Sequence, residues 1–140
     1  MTMSRTSILA ALCMILLFSC EKGYITDCRE CYTEGPEVSL TVYIAGSDFV
    51  PSSPRFTLYE GAMEDNIILT QYYVEGFSTS ISFQALLYKD YTATLEFTLD
   101  GRKYVTVDAA CPQLRYDETS CDEPCYYVYD NIMDLRLRYQ

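Results

Sequence analysis

Cysteine is the side chain that gives this sequence its widest range of possible chemistry. The chain has 140 residues and 7 cysteines. Two pairs are closely spaced: Cys28 and Cys31 are separated by two residues, and Cys121 and Cys125 by three. Such pairs form disulfides in oxidising compartments, bind zinc as thiolates, or exchange electrons in a Cys-x-x-Cys redox motif.

Histidine is absent, and its absence excludes several kinds of active site. A sequence with no His lacks the commonest general base and the commonest metal ligand. Ser-His-Asp hydrolases, Cys-His proteases and His-ligated metal enzymes are therefore excluded. The formal net charge of −10 also opposes binding to nucleic acid, whose phosphates require a basic surface. We predict a non-catalytic protein with no cofactor and no bound metal.

The N-terminus carries the pattern of an export signal. An apolar run of 11 residues, from Ile8 to Phe18, follows Arg5. A membrane-spanning helix needs about 20 apolar residues, so this shorter run with a basic start indicates a secretory signal peptide. Its end, Leu17-Phe18-Ser19-Cys20, resembles the lipobox of bacterial lipoproteins. The resemblance implies cleavage between Ser19 and Cys20 and attachment of lipid to Cys20. The alternative is an ordinary signal peptide or an uncleaved anchor.

Removal of the signal divides the chain into three parts. Residues 1–19 form the signal peptide, residues 20–35 a polar tether that carries the lipid, and residues 36–140 the folded domain. The signal contains one charged residue, Arg5, so the mature chain is more acidic by one unit. Several acyl chains anchor a protein stably, and we therefore expect the mature protein to be held at the membrane through Cys20.

Five cysteines remain after processing, because Cys13 leaves with the signal and Cys20 is lipidated. These five are Cys28, Cys31, Cys111, Cys121 and Cys125. An odd number in an exported protein predicts two disulfides and one free thiol. The pairing stays open: each close pair could form a local bridge, or the first pair could bond to the later cysteines and attach the tether to the domain.

Two metal sites are possible alternatives. Four cysteines could bind zinc, but zinc sites of this kind usually bring their pairs closer in sequence and occur in reducing compartments. Asp117, Glu118, Asp122 and Glu123 surround Cys121, but they lack the ligand spacing of a calcium loop. A redox role for Cys28 and Cys31 would need a helix N-terminus, which the polar tether does not provide. Disulfides and a solvated acidic loop are the favoured interpretations.

The folded part shows the two-residue period of β-strands. Apolar and polar residues alternate over residues 38–45, 55–59, 77–85, 91–99 and 133–139. Residues 67–74 carry no charge, and all but Thr70 and Gln71 are aliphatic or aromatic. This run predicts a strand buried on both faces or crossing the core. No stretch of 11 residues shows a helical period. About seven strands at ten-residue spacing predict an all-β fold, an immunoglobulin-like β-sandwich of antiparallel strands.

One hairpin has two possible registers. A two-residue turn at Asp100-Gly101 would place Val105 and Val107 on the face opposite Phe97. A loop longer by one residue, with Gly101 in a bulge, would bring both valines onto the same face as Phe97. Because that face is the apolar one, we favour the bulged turn.

Several short motifs together resemble small outer-membrane lipoproteins of Bacteroidota. These are the lipobox, the cysteine-containing tether, the turn Leu58-Tyr59-Glu60-Gly61, the strand entry Lys89-Asp90-Tyr91-Thr92 and the Cys-x3-Cys-Tyr-Tyr segment that ends at Tyr127. The resemblance implies an immunoglobulin-like or carboxypeptidase-regulatory-like β-sandwich at the outer membrane. It implies a location and a fold but no reaction, and it leaves the periplasmic and surface faces equally open.

Tyrosine is abundant, with 14 residues in the chain. Tyr43, Tyr59 and Tyr88 fall on the polar side of their predicted strands, where exposed rings favour contact with a protein or a glycan. We therefore predict a membrane-anchored interaction or accessory module of the cell envelope with these three residues as partner contacts. The alternative is a glycan-binding accessory lipoprotein in nutrient uptake.

Overall fold

The computed structural model describes residues 28–29, 31–33, 35–46, 50–76 and 78–137, and its regular secondary structure is almost all β. The predicted signal peptide and the lipidation site, Ser19 and Cys20, lie outside this range. Within it, the one helical element is a 3-10 turn at Met63–Asp65. No helix of the described segments has the length and apolar character needed to cross a membrane.

Nine strands form in the described part of the chain, whereas the sequence predicted about seven. They are β1 (Glu37–Tyr43), β2 (Arg55–Glu60), β3 (Ile68–Tyr73), β4 (Ser80–Leu86), β5 (Tyr91–Leu99), β6 (Arg102–Ala110), β7 (Gln113–Asp117), β8 (Cys125–Tyr129) and β9 (Ile132–Asp134). The prediction missed β7 and β8, which form a short hairpin rather than part of a long alternating segment.

The strands form three sheets, two of which make the sandwich. One sheet has the order β4-β1-β9 and the other β3-β2-β5-β6, while β7 and β8 pair only with each other. Neighbours are antiparallel except β1 and β9, which are parallel. The β-sandwich is thus confirmed, with one parallel pair that the sequence did not predict.

The core lies between the two larger sheets and follows from the alternation along the strands. Leu40 and Val42 of β1, Phe56 and Leu58 of β2, and Leu95 of β5 are all buried. A strand with one face on a core presents every second side chain to it, as the pattern of β1 predicted. The first five residues of β5 are all buried, because β5 has a strand on each side.

The Asp100-Gly101 turn has two residues, and the predicted bulge is wrong. Asp100 and Gly101 have φ values of 50° and 73°, which is the left-handed pair that an Asp-Gly type I′ turn adopts. Phe97 therefore pairs with Tyr104, and their rings stack with centroids 5.7 Å apart. Tyr104 fills the inner position that we assigned to the valines, so Val105 points outward and is 52% exposed.

The strand predicted over residues 67–74 forms, but its predicted burial is wrong. Among the described strands, β3 pairs with β2 alone and lies at the edge of its sheet. Ile68 is 45% exposed and Tyr73 64%. We predicted burial because the strand carries no charge. The lack of charge does not indicate whether a strand lies at the centre or at the edge of its sheet. The apolar run lies at the margin of the sandwich.

The opposite side of the sandwich is closed by hydrogen bonds between β6 and the last segment. The Thr106 hydroxyl donates to the carbonyl oxygen of Leu135 at 2.8 Å, and the amide of Asp134 donates to the Asp108 carboxylate at 2.7 Å. Met133 and Leu135 are buried, as predicted, although β9 itself has only three residues. Tyr139, the end of the predicted strand, lies outside the described residues.

Candidate interaction surfaces

Two disulfides attach the tether to the β7–β8 hairpin. Cys28 bonds to Cys121 and Cys31 to Cys125, with Cα–Cα distances of 5.7 and 5.5 Å. Beside them the amide of Tyr32 donates to the carbonyl of Tyr126 at 2.7 Å. Of the pairings that the sequence left open, the chain adopts the one that joins the tether to the domain.

Among the described cysteines, Cys111 is the one outside a disulfide. Its backbone amide donates to the Asp130 carboxylate at 2.9 Å. Burial raises the pKa of the Cys111 thiol above its usual value, and hydrogen bonding to Asp90 and the charge of Asp130 raise it further. A raised pKa leaves less thiolate at neutral pH, and the thiolate is the nucleophile and the metal ligand.

The acidic loop between β7 and β8 is built around a turn. The Asp117 carboxylate accepts hydrogen bonds at 2.9 Å from the amides of Thr119 and Ser120, the usual way in which Asp closes a local turn. The described residues contain no group of three or more cysteine or carboxylate side chains arranged to bind a metal. Next to this loop, the rings of Tyr116 and Tyr126 lie 4.8 Å apart and are about half exposed.

The three tyrosines predicted as partner contacts lie on separate parts of the domain. Tyr43 is on the outer face of the β4-β1-β9 sheet, and the Arg136 guanidinium lies 5.2 Å from its ring centroid. Tyr59 is opposite Thr92 on the outer face of the other sheet. Tyr88 is in the turn between β4 and β5 and is 65% exposed. The fold therefore does not bring them together into one surface.

The edge of β3 is a surface that the sequence analysis missed. The amide of Val74 donates to the carbonyl of Pro54, and the amide of Glu60 to the carbonyl of Ile67. Backbone groups of an antiparallel strand alternate in direction, so counting back from Val74 places those of Tyr73 and Gln71 away from β2. At Leu69 the register shifts, between the pairs Leu58–Thr70 and Tyr59–Ile68. The sequence feature that could have indicated this edge is an uncharged strand with acidic residues on both sides, Glu64 and Asp65 before it and Glu75 after it.

The two edges β3 and β4 lie on the same side of the sandwich. Phe56 contacts both of them: its ring is 5.6 Å from that of Tyr72 on β3 and 5.4 Å from that of Phe83 on β4. Since β6 and β9 are joined on the other side, the described part of the sandwich has one closed side and one open side. A shallow apolar hollow beside the end of β3 is lined by residues that include Ile44, Pro54 and Val74.

Comparison of the chain with protein-family models, with curated proteins and with solved structures found no match.

Proposed function

We propose that this protein is an exported, membrane-anchored lipoprotein that acts as a non-catalytic interaction module of the cell envelope. The observation that carries the proposal is the pair of disulfides from Cys28 and Cys31 to the β7–β8 hairpin. Stable structural disulfides form in oxidising compartments outside the cytoplasm. Export of the chain agrees with the signal sequence predicted before Cys20.

The disulfides also determine how an anchor at Cys20 would hold the domain. Cys28 comes only eight positions after Cys20, and a fully extended chain covers at most about 3.5 Å per position. Cys28 would then lie within about 28 Å of the lipid. The β7–β8 hairpin is therefore the part of the domain that we expect nearest the membrane, and the rest of the sandwich extends outward toward a partner.

An interaction role agrees with the surface chemistry better than glycan binding does. A glycan platform needs aromatic rings gathered on one face, whereas Tyr43, Tyr59 and Tyr88 are on three separate parts of the domain. The apolar exposed edge of β3 is the kind of surface that marks contact with another protein. We therefore favour a protein partner over a glycan.

The anchor is tested by Cys20→Ser in a bacterium that processes lipoproteins. We expect the unaltered protein to partition into detergent on phase separation and to carry a diacylglyceryl mass on a peptide that begins at Cys20. Cys20→Ser should lose the lipid mass, whereas Cys13→Ser, in the signal peptide, should retain it. An unaltered protein without lipid on Cys20 would overturn the proposed anchor.

Export is tested separately by counting thiols. After export we expect one reactive thiol, Cys111, in the unfolded but unreduced protein, and four more on reduction of the two disulfides. All five thiols reactive without a reductant would contradict an oxidising compartment.

A further inference from the structure

We propose that the open edge of β3 accepts an added strand from a partner protein, and that this partner segment is extended and carries basic residues at both ends. The proposal rests on the interaction role argued above and names the surface and the chemistry of its partner. Addition of a strand to a sheet edge is an established mode of peptide recognition, in which main-chain hydrogen bonds provide affinity and side-chain contacts provide specificity.

The first argument is that β3 lacks the charges and Pro that protect many edge strands. Such edges usually carry charged residues, Pro or a β-bulge, or are covered. Residues 67–74 contain neither charge nor Pro, and beyond the register shift at Leu69 the backbone groups of Gln71 and Tyr73 point outward. The other edge of this sheet, β6, carries Arg102, Lys103 and Asp108 and is bonded to the last segment.

The second argument is that the side chains of β3 are apolar and exposed on both faces of the sheet. Ile68, Leu69 and Tyr73 are 45%, 48% and 64% exposed. A strand laid beside β3 would cover part of these side chains, and burial of apolar area is the main favourable term in association. The open edge of β4 offers less apolar area for a partner to bury, because its outward residues include Ser82 and Gln84.

The third argument is charge. The uncharged strand has Glu64 and Asp65 before it and Glu75 after it, and all three side chains are exposed. The ion pairs in the described part of the chain engage other carboxylates, those of Glu60, Glu96 and Asp134. Acidic groups at both ends of β3 are thus available to a partner, and complementary charge favours basic ends on the added strand.

The same charges disfavour a second copy of this chain as the occupant. In an antiparallel pair of β3 strands centred on Gln71, Glu75 of each copy would lie opposite Ile67 of the other, next to Asp65. Like charges would therefore meet at both ends of the pair. Such contacts are unfavourable in a sheet, and each copy already has a formal charge of −10.

The experiment uses the full chain purified in mild detergent and a short peptide of alternating Val and Thr with two lysines at each end. A second peptide with glutamates in place of the lysines is the control ligand. We expect the lysine peptide to bind at least about tenfold more tightly. At saturation it should slow hydrogen exchange at the amides of Gln71 and Tyr73, which an added strand would engage.

Two variants test the backbone and the charges independently. Tyr73→Pro removes an outward amide at a position where an edge strand tolerates Pro, and it should abolish the exchange protection. Glu64→Lys with Glu75→Lys should reverse the preference between the two peptides. Glu118→Lys with Glu123→Lys makes the same change in net charge near the β7–β8 hairpin and should leave the preference in place.

Each other outcome overturns the proposal. Equal affinity for the two peptides would exclude charge selection, and absence of slowed exchange on binding would exclude strand addition. A dimer that already protects the β3 amides would identify a second copy as the occupant, and protection in the monomer would identify a segment of the chain itself. Because peptide binding does not depend on lipid, a failure here is distinguishable from loss of anchoring in Cys20→Ser.

Discussion

The ring of Phe56 on β2 stacks on the ring of Phe83 on β4, with centroids 5.4 Å apart and planes 7° from parallel. The two residues belong to different sheets, so this contact joins the sandwich across its core. Phe56 is fully buried and also contacts Tyr72 on the exposed strand β3. At the open side, Phe56 therefore links the sheets through the core, beside the hydrogen bond that the amide of Leu86 on β4 donates to the Tyr91 hydroxyl on β5 at 2.9 Å.

Replacement of Phe56 by Ala should destabilise the protein strongly. Truncation of a buried Phe typically costs about 3 to 5 kcal/mol, because transfer energy is lost and a cavity is left behind. The free energy of unfolding in urea measures the effect. Val105→Ala, at a position that is 52% exposed, should change it by less than about 0.5 kcal/mol. A similar small effect for Phe56→Ala would contradict the described core.

The stabilisation that Glu96 contributes should be lost in acid. The Lys103 ammonium and the Arg55 guanidinium each lie 2.9 Å from its carboxylate. The hydrogen bond from Lys103, followed by that from Arg55, lowers the pKa of Glu96 below its usual value, against the opposing effect of burial. The unfolded chain therefore binds the proton more readily. The contribution of Glu96 is complete above its unfolded pKa, about 4.3, and is lost as the pH falls through the lower folded pKa.

Glu96→Gln isolates this contribution. The stability difference between the unaltered protein and Glu96→Gln should be largest near neutral pH and should narrow as the pH falls toward about 3. Urea midpoints measured across that range provide the test. Glu118→Gln is the control, since Glu118 is exposed and belongs to none of the ion pairs found among the described residues. A difference that stays constant with pH would refute the assignment.

Tyr88 adopts a backbone conformation that a bulky side chain rarely takes, with φ of 59°. The left-handed region costs an ordinary residue about 1 to 2 kcal/mol, and Asn tolerates it better. The Tyr88 ring is 65% exposed, so its removal sacrifices little packing. We expect Tyr88→Asn to increase the free energy of unfolding by about 0.5 to 1 kcal/mol.

Tyr43→Asn is the matched control, because Tyr43 lies in the extended strand β1 and contacts Arg136. It should give no gain in the same urea titration. Destabilisation by Tyr88→Asn would show that the ring contributes more to the fold than its exposure indicates.

The alternating strands were predictable because a half-buried strand records its inner face in every second residue. Leu40 and Val42 on β1 and Ile81 and Phe83 on β4 follow this rule. The rule does not report where a strand lies in its sheet. An uncharged apolar strand has the same sequence pattern at the centre of a sheet as at an open edge, and β3 was misassigned for this reason.

The turn and the disulfides show two other limits of the sequence. At Asp100-Gly101 the valines favoured one register, but the conformational preference of the turn and the stack of Tyr104 on Phe97 determined the other. The two closely spaced cysteine pairs were recognisable, but their pairing depends on where the hairpin lies relative to the tether. Tertiary contacts decide such questions, and single-sequence patterns do not contain them.

The contribution of each disulfide to stability should depend on whether the other one is already present. Cys28–Cys121 and Cys31–Cys125 span 93 and 94 residues, so either alone restricts the unfolded chain by about 4.7 kcal/mol in the loop-entropy model. With one in place, the other closes only the small ring through residues 28–31 and 121–125. That second closure is worth about 2.5 kcal/mol in the same model.

Replacement of one disulfide-bonded cysteine pair by Ser should therefore lower the free energy of unfolding by about 2.5 kcal/mol. Replacement of both pairs should lower it by about 7 kcal/mol, more than twice the single loss. The free energies of unfolding of Cys28→Ser with Cys121→Ser, of Cys31→Ser with Cys125→Ser, and of the fourfold variant measure these values. Cys111→Ser removes no bridge and is the control for loss of sulfur. Two single losses that add up to the combined loss would mean that the bridges constrain the chain independently, contrary to their adjacent positions on the tether and the hairpin.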